Sequence, residues 1–402
     1  MTWLNEFKVK SFKGLNHLDL EFGSINLITG RNNTGKTSLL EAISLYFQPE
    51  RVRHFRGDIN TLININSQKC KIQGIADIDR EKLVLRPPEE SEQPELFHQG
   101  LSKIIDSSLR RTDFAHPEEK DSQEVAEVLA TTLQKHWDND LKEFIDQFLV
   151  IETDEEKYTI LENSAEINNL LTEYDDLLRN TLEEELDIEI EAEEDVFGGR
   201  TPLLHLSFLE DSPESKGSLS SINTSNLDQL RRHRQRGEKD AIKIDDIEDY
   251  LKEKNLVENL KSFDLEKIVL EHDGEKEQIP FRFMGSGFQS IVMILWELFD
   301  ERADDAVVLM EEPENHMHPG YIEHLVKFLI KAAIEDDLQL FITTHDLDFI
   351  REFFDASLET QEEEFLESQF KLFQMGDNMV EQFSYNAAEE HLKNLKIDLR
   401  GT

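Results

Sequence analysis

One cysteine in 402 residues, Cys70, cannot close an internal disulfide, so nothing in the chain asks for an oxidising compartment. No apolar run is long enough to cross a membrane either: Ile291 to Phe299 is short and carries Glu297. The N-terminus lacks a basic stretch leading into an apolar run and a small-residue cleavage site, so no secretory signal is read there. These absences make a cytoplasmic protein without a membrane partner the expectation. Positive charge is also scarce, with 43 Lys and Arg against 86 Asp and Glu and a formal net charge of −43. A surface of that sign repels phosphate backbones unless its basic residues are segregated. Two short clusters qualify, Arg51, Arg53, His54 and Arg56, and Arg231, Arg232, His233, Arg234 and Arg236. Both read more simply as solvated loops of an acidic protein, so nucleic acid is allowed as a partner but not favoured.

What is present suffices for a folded protein. Hydrophobic residues make up 38% of the chain and Phe alone occurs 25 times, enough to bury a core despite 32% charged residues. The opening segment alternates as strands do, through Phe7, Val9 and Phe12 and then Leu18, Leu20 and Phe22, before the apolar run Ile25 to Ile28. From Thr37 to Gln48 the residues Leu39, Leu40, Ile43 and Phe47 share one helical face, and Pro49 ends it. Between about 88 and 261 the pattern changes to acidic amphipathic segments, including Val125 to Leu149 and Ile167 to Leu182, with weaker strand signals near Ile188 and Leu204. Gly198-Gly199 and Ser212 to Ser225 read as exposed loops. After 262 the alternation of helix and strand returns: Ile291 to Phe299 helical, Val307 to Met310 a buried strand, Ile322 to Ile334 amphipathic, Leu338 to Ile342 a strand. The expected fold is therefore α/β, with a largely parallel sheet whose ligands bind at the carboxyl ends of its strands. The expected divisions are 1–87, an acidic and mainly helical insertion over 88–261, and 262–402.

The sharpest motif is Gly30-Arg31-Asn32-Asn33-Thr34-Gly35-Lys36-Thr37, followed by Ser38 and set between a predicted strand and a predicted helix. Glycines let the backbone curl so that its N–H groups face phosphate oxygens, and the helix presents its positive end to the same anion. Lys36 would neutralise the β- and γ-phosphates of ATP, and the Thr37 hydroxyl would ligate Mg2+, an oxygen-seeking cation. A second signal is Glu311-Glu312 directly after the apolar strand. Adjacent residues there point in different directions, so Glu311 is assigned to magnesium and Glu312 to the water that attacks the γ-phosphate. Alone, such a pair is a common loop start; the glycine loop gives it weight. His345 follows Thr343-Thr344 at the end of another strand, suited to contact the γ-phosphate or the attacking water. Met284-Gly285-Ser286-Gly287-Phe288-Gln289, before a predicted helix, reads either as a helix cap or as a second anion cradle.

Taken together and in this order, the four motifs resemble the ABC-type ATPases of the SMC, RecF and OLD (overcoming lysogenisation defect) group, with the OLD-like branch nearest. GRNNTGKTSLLEAI resembles its Walker A segment, MGSGFQ its signature, VVLMEEPENHMHP its Walker B with D-loop, and ITTHD its switch histidine. The likeness covers about residues 1 to 85 and 262 to 402, making 1–87 and 262–402 the two parts of an ATPase head. It implies that Ser286, Gly287 and Gln289 contact the γ-phosphate held by a second copy, so that two heads sandwich two ATP molecules in a homo-oligomer, with Glu314 and His318 near the seam. Glu311 departs from the family, where Asp is usual. Gln73, with Gln68 behind it, is the candidate for the Q-loop. OLD-like proteins often carry a C-terminal nuclease. The stretch after His345 is too short for one, and its Asp377 and Glu362 to Glu367 form no separated set of metal-binding carboxylates. The resemblance therefore implies a separate effector such as a nuclease, as in PARIS-like and Septu-like anti-phage pairs. A RecF-like DNA-repair ATPase is the alternative, and requires a basic surface across the dimer. A transporter's cytoplasmic subunit would share all four motifs but would ordinarily lack such an acidic insertion.

Overall fold

The computed structural model describes residues 3–392 apart from 56–58, 77–78, 111–120, 138–143, 164–172, 187, 189–204, 210–218, 224–237, 255, 273, 300–305, 316, 355–357 and 377–378. Arg56, Arg231 to Arg236, Gly198-Gly199 and Asp377 thus lie outside the described residues, as does most of Ser212 to Ser225. Two adjoining strands open the chain, β1 (Leu4–Phe12) and β2 (Leu15–Glu21), which pair antiparallel. Ser11, at φ 60°, lies in the left-handed region, and the β1–β2 register runs unbroken on either side of it. Strand β3 (Ile25–Gly30) is buried along its whole length and runs into helix α1 (Lys36–Phe47).

The central sheet has the order β16-β15-β3-β14-β13-β9, comprising β9 (Leu219–Asn223), β13 (Val307–Glu311), β14 (Gln339–Thr343), β15 (Phe370–Met375) and β16 (Val380–Ser384) around β3. All neighbours pair in parallel except β15 with β16. The inner strands β3, β13 and β14 are buried nearly throughout because both faces are covered. Val308, Met310, Leu340 and Ile342 face one core with the later helices, while Val307, Leu309 and Phe341 face a second core with α1 and the N-terminal strands. Asn26, inside β3, is fully buried and satisfied. It accepts from Gly23 N–H and donates to the carbonyls of Gly23 and Leu340. Gln339 performs the same service between sheets, bonding both backbone groups of Leu4 and the carbonyl of Gly23.

The second sheet is antiparallel, β2-β1-β4-β5-β6-β7-β8, and adds β4 (Cys70–Ala76), β5 (Asp79–Arg86), β6 (Phe148–Glu152), β7 (Lys157–Asn163) and β8 (His205–Phe208). The described residues of 88–261 therefore contribute strands to both sheets as well as helices. Helices α2 (Gln93–Leu109), α3 (Ser122–His136) and α4 (Asp175–Glu184) gather around Phe144, Phe148, Val150 and Leu161 in a core of their own. The helical run expected over Val125 to Leu149 stops at His136, and Phe148-Leu149 instead begin β6. The reason is two-sided burial: Phe148 and Val150 face the helical core while Leu149 and Ile151 face the head. Cys70 is buried, and burial pushes its thiol up to about 12, so it stays protonated and inert.

An ion network ties helix α2 to the antiparallel sheet. Arg86 holds Glu92 with two bonds of 2.7 and 2.8 Å and Glu152 with bonds of 2.6 and 2.9 Å, and Lys157 adds a 2.7 Å contact to Glu92. The Arg86 hydrogen bonds, opposed by burial and helped by Lys157 and the Glu89 N–H, hold the Glu92 carboxyl well below its ordinary 4.5. A depressed folded pKa means the stabilisation is complete above about pH 4.5 and is lost as pH falls further. Glu92→Gln is accordingly expected to lower the thermal midpoint near neutral pH. The gap to wild type should close as pH drops below about 4.5. Equal gaps at every pH would exclude this network as the source.

Candidate functional site

The loop between β3 and α1 is shaped by three left-handed residues, Gly30 (φ 143°), Asn33 (φ 66°) and Gly35 (φ 96°). A Cβ on Gly30 would lie 2.4 Å from the Met375 carbonyl oxygen, and one on Gly35 would lie 2.6 Å from Leu15. Strand β15 and the β1–β2 turn therefore press the loop into its curl. Gly35 caps α1, whose first turn carries no acidic residue, leaving its N-terminal N–H groups an electropositive end. Lys36 is 7% exposed and donates to the carbonyls of Gly30 and Arg31, each at 2.9 Å. Burial lowers its pKa from the ordinary value, and the nearby Glu312 carboxylate acts the other way.

The carboxyl ends of β13 and β14 face this loop. Glu311 pairs in register with Thr343, and Glu312 then leaves the strand at φ 45°, its N–H bonded to the Thr343 carbonyl at 2.9 Å. That reversal aims the two adjacent carboxylates differently. Glu312 Oε1 lies 3.0 Å from His345 Nδ1, and its Oε2 accepts from Asn315 Nδ2 at 2.9 Å. A carboxylate offers only acceptors, so Nδ1 carries the hydrogen. A cleft of about 760 Å³ opens between loop and strand ends, lined by Gly14, Asn32 to Ser38, Glu311, Glu312, Asn315 and Thr343. Its oxygen donors, the Thr37 hydroxyl and the Glu311 carboxylate, fit Mg2+, which keeps waters and phosphate oxygens in its shell and needs no dedicated protein cage.

Behind the cleft, Glu314 is 4% exposed and accepts a short hydrogen bond from the Thr344 hydroxyl. Burial pushes its carboxyl up to about 7. The Thr344 bond and its own backbone N–H work against that shift, while Asp346 and Glu312 add to it.

Helix α5 (Glu238–Glu253) precedes helix α6 (Ser286–Leu298), whose first turn holds Ser286, Gly287 and Gln289 outside the cleft of their own chain. Ser286 is exposed, and Gln289 donates to the Met284 carbonyl at 2.6 Å. Gln73 sits within β4 and Gln68 in an exposed turn, and neither lines the cleft. His318 caps helix α7 (Pro319–Glu335), accepting from Gly320 N–H at 3.2 Å. Arg51 donates to the Ser44 hydroxyl and Arg53 lies 4.6 Å over the Phe208 ring, so both side chains are engaged within the chain. Gly14, Asn315, Thr343 and the Glu314–Thr344 bond were not anticipated. Of these, only the Pro-Glu-Asn sequence after Glu312 offered a hint.

A glycine loop between strand and helix, a buried lysine within it and acidic residues at the end of a parallel strand one removed from β3 define an α/β P-loop ATPase head. The chain belongs to the family described as "AAA domain, putative AbiEii toxin, Type IV TA system", whose model matches residues 25–351. It is also similar to uncharacterized protein MJECL11 of Methanocaldococcus jannaschii, 30% identical over 120 residues that make up 29% of this chain and 100% of that one. Among solved structures it is similar to the SMC head domain from Thermotoga maritima, at 10% identity and TM-score 0.40 over 95% of this chain and 98% of that one. It is similar too to the recombination mediator protein RecF, at 14% identity and TM-score 0.36 over 95% and 98%. At those values neither likeness bears on activity. Among the described residues no helix is long and apolar enough to cross a membrane.

Proposed function

We propose that this protein hydrolyses ATP as an ABC-type ATPase of the OLD-like branch, in homo-oligomers whose nucleotide sites are completed by a second copy, and that its ATP state controls a separate effector. The observation that carries the reading is the single cleft shared by Lys36, Thr37, Glu311 and Glu312, with His345 bonded to Glu312 at its edge. Bound there, Mg2+ would supply charge neutralisation between the phosphates, held by Thr37 and Glu311. Lys36 and the loop N–H groups bind the phosphates, Glu312 orients a water, and His345 with Asn315 keeps that carboxylate aimed. Ser286 is exposed and outside its own chain's cleft, which supports a role toward a partner's phosphate. The family description, naming a toxin of a Type IV TA system, supports a paired system of the anti-phage kind. The net charge of −43 and the internally engaged Arg51 and Arg53 weigh against a RecF-like DNA clamp.

Complementation tests the shared site. Ser286→Glu and Lys36→Ala proteins are each expected to be inactive alone. Mixed, they should recover up to about half of wild-type turnover per paired site, because one of the two composite sites then joins an intact Lys36 to an intact Ser286. No recovery, together with wild-type hydrolysis by a strict monomer at every concentration, would exclude the dimer mechanism.

A further inference from the structure

We propose that Glu314 is a positioning residue for ATP hydrolysis, holding the His345 turn through the Thr344 hydroxyl so that the imidazole stays against Glu312. The inference rests on the ATPase reading above and deepens it. His345 itself is about half exposed, at 51%, so packing does not fix its ring. Its two neighbours are fixed instead. Thr344 is fully buried; its N–H donates to the carbonyl of Ile28 on β3 at 3.0 Å, and its hydroxyl donates to Glu314 Oε1. On the other side Asp346 N–H donates to the Thr344 hydroxyl at 3.0 Å, while the Asp346 carboxylate caps the helix Leu347–Glu352 through the N–H groups of Asp348 and Phe349. Glu314 is thus the buried strut between the turn that carries Glu312 and the turn that carries His345.

The strut is costly for a merely architectural part. Glu314 Oε2 is buried and finds no hydrogen-bond partner among the described residues, a loss that an apolar pair of the same size would avoid. Its backbone carbonyl is used as well, accepting from Met317 N–H at 2.9 Å, so the main chain from which the carboxyl projects is held in the turn. What the carboxyl provides, and a hydrocarbon would not, is a directional acceptor that sets the rotation of Thr344 and with it the departure angle of His345.

The test compares steady-state ATP turnover, KM and thermal midpoint for wild type, Thr344→Ser and the double variant Glu314→Met with Thr344→Val. Replacing both partners by apolar groups of similar size should leave KM near wild type and lower the midpoint only by what the Asp346 N–H bond to the Thr344 hydroxyl contributes, yet lower kcat by about tenfold. Thr344→Ser, which keeps the hydroxyl, should stay within about twofold of wild type. A folded double variant with wild-type kcat overturns the proposal. Should the double variant not fold, Glu314→Asp decides: one methylene shorter, it should lose the Thr344 bond and lower kcat with KM unchanged, and a wild-type kcat overturns the proposal equally. Wild-type protein that turns over no ATP overturns the ATPase reading and this inference together. Normal wild-type turnover with an unimpaired variant overturns this inference alone.

Discussion

Lys36→Ala is expected to weaken ATP binding by about 100-fold, because a charge-assisted hydrogen bond to phosphate contributes about 1.5–3 kcal/mol and no other cation among the cleft-lining residues can take its place. The lysine is 7% exposed and tied to two loop carbonyls, so its loss also removes two contacts that brace the Gly30–Gly35 curl. Part of the measured effect will therefore be looser loop geometry. Lys36→Met keeps the apolar stem but loses the ammonium and with it both carbonyl contacts, so most of the loss should persist. Fluorescent-nucleotide titration, with far-UV circular dichroism as the check on folding, measures it. A folded Lys36→Ala protein that binds ATP as tightly as wild type would remove the basis for calling this cleft a nucleotide site.

Three strands of the central sheet, β3, β13 and β14, are legible because each carries its own signal. The runs Ile25 to Ile28, Val307 to Met310 and Leu338 to Ile342 are apolar except at Asn26 and Gln339, as two-sided burial demands, and each is followed by polar residues at its carboxyl end. Strand β15 was missed. It supplies the Met375 carbonyl against which Gly30 must be bare, yet Phe370 to Met375 lies far from β3 in sequence, and no local pattern indicates parallel pairing at such a distance. The acidic region reads as helical from its amphipathic segments, because Glu and Lys are good helix formers and are depleted in strands. The strand β6 hidden at its centre reveals itself only when both flanking cores are known. Within the site, residue type and strand position found Lys36, Glu311, Glu312 and His345. The bonds that orient them, from Asn315 and Thr344, depend on a left-handed Glu312 and a tight following turn, which spacing alone does not encode.

Glu312→Gln is expected to retain ATP while lowering kcat by about 100- to 1000-fold, the range in which a positioned proton acceptor contributes to a displacement by water. The geometry explains why the amide should fail in this particular site. Glu312 Oε1 faces His345 Nδ1 at 3.0 Å and Oε2 accepts from the Asn315 amide at 2.9 Å. A glutamine can present its oxygen to only one of these donors, and its NH2 then confronts the other. Whichever way it turns, either His345 or Asn315 loses its acceptor, and the attacking water loses its carboxylate. Binding should survive, because the phosphate contacts come from Lys36 and the loop N–H groups on the opposite wall. The positive charge of Lys36 should then be balanced by bound phosphate rather than by Glu312, which favours trapped nucleotide and a long-lived ATP state. Single-turnover hydrolysis beside equilibrium binding separates the two effects. If Glu311→Gln alone abolishes turnover with binding intact, while Glu312→Gln hydrolyses normally, the roles of the two carboxylates are exchanged. The His345 contact would then serve only to hold the turn.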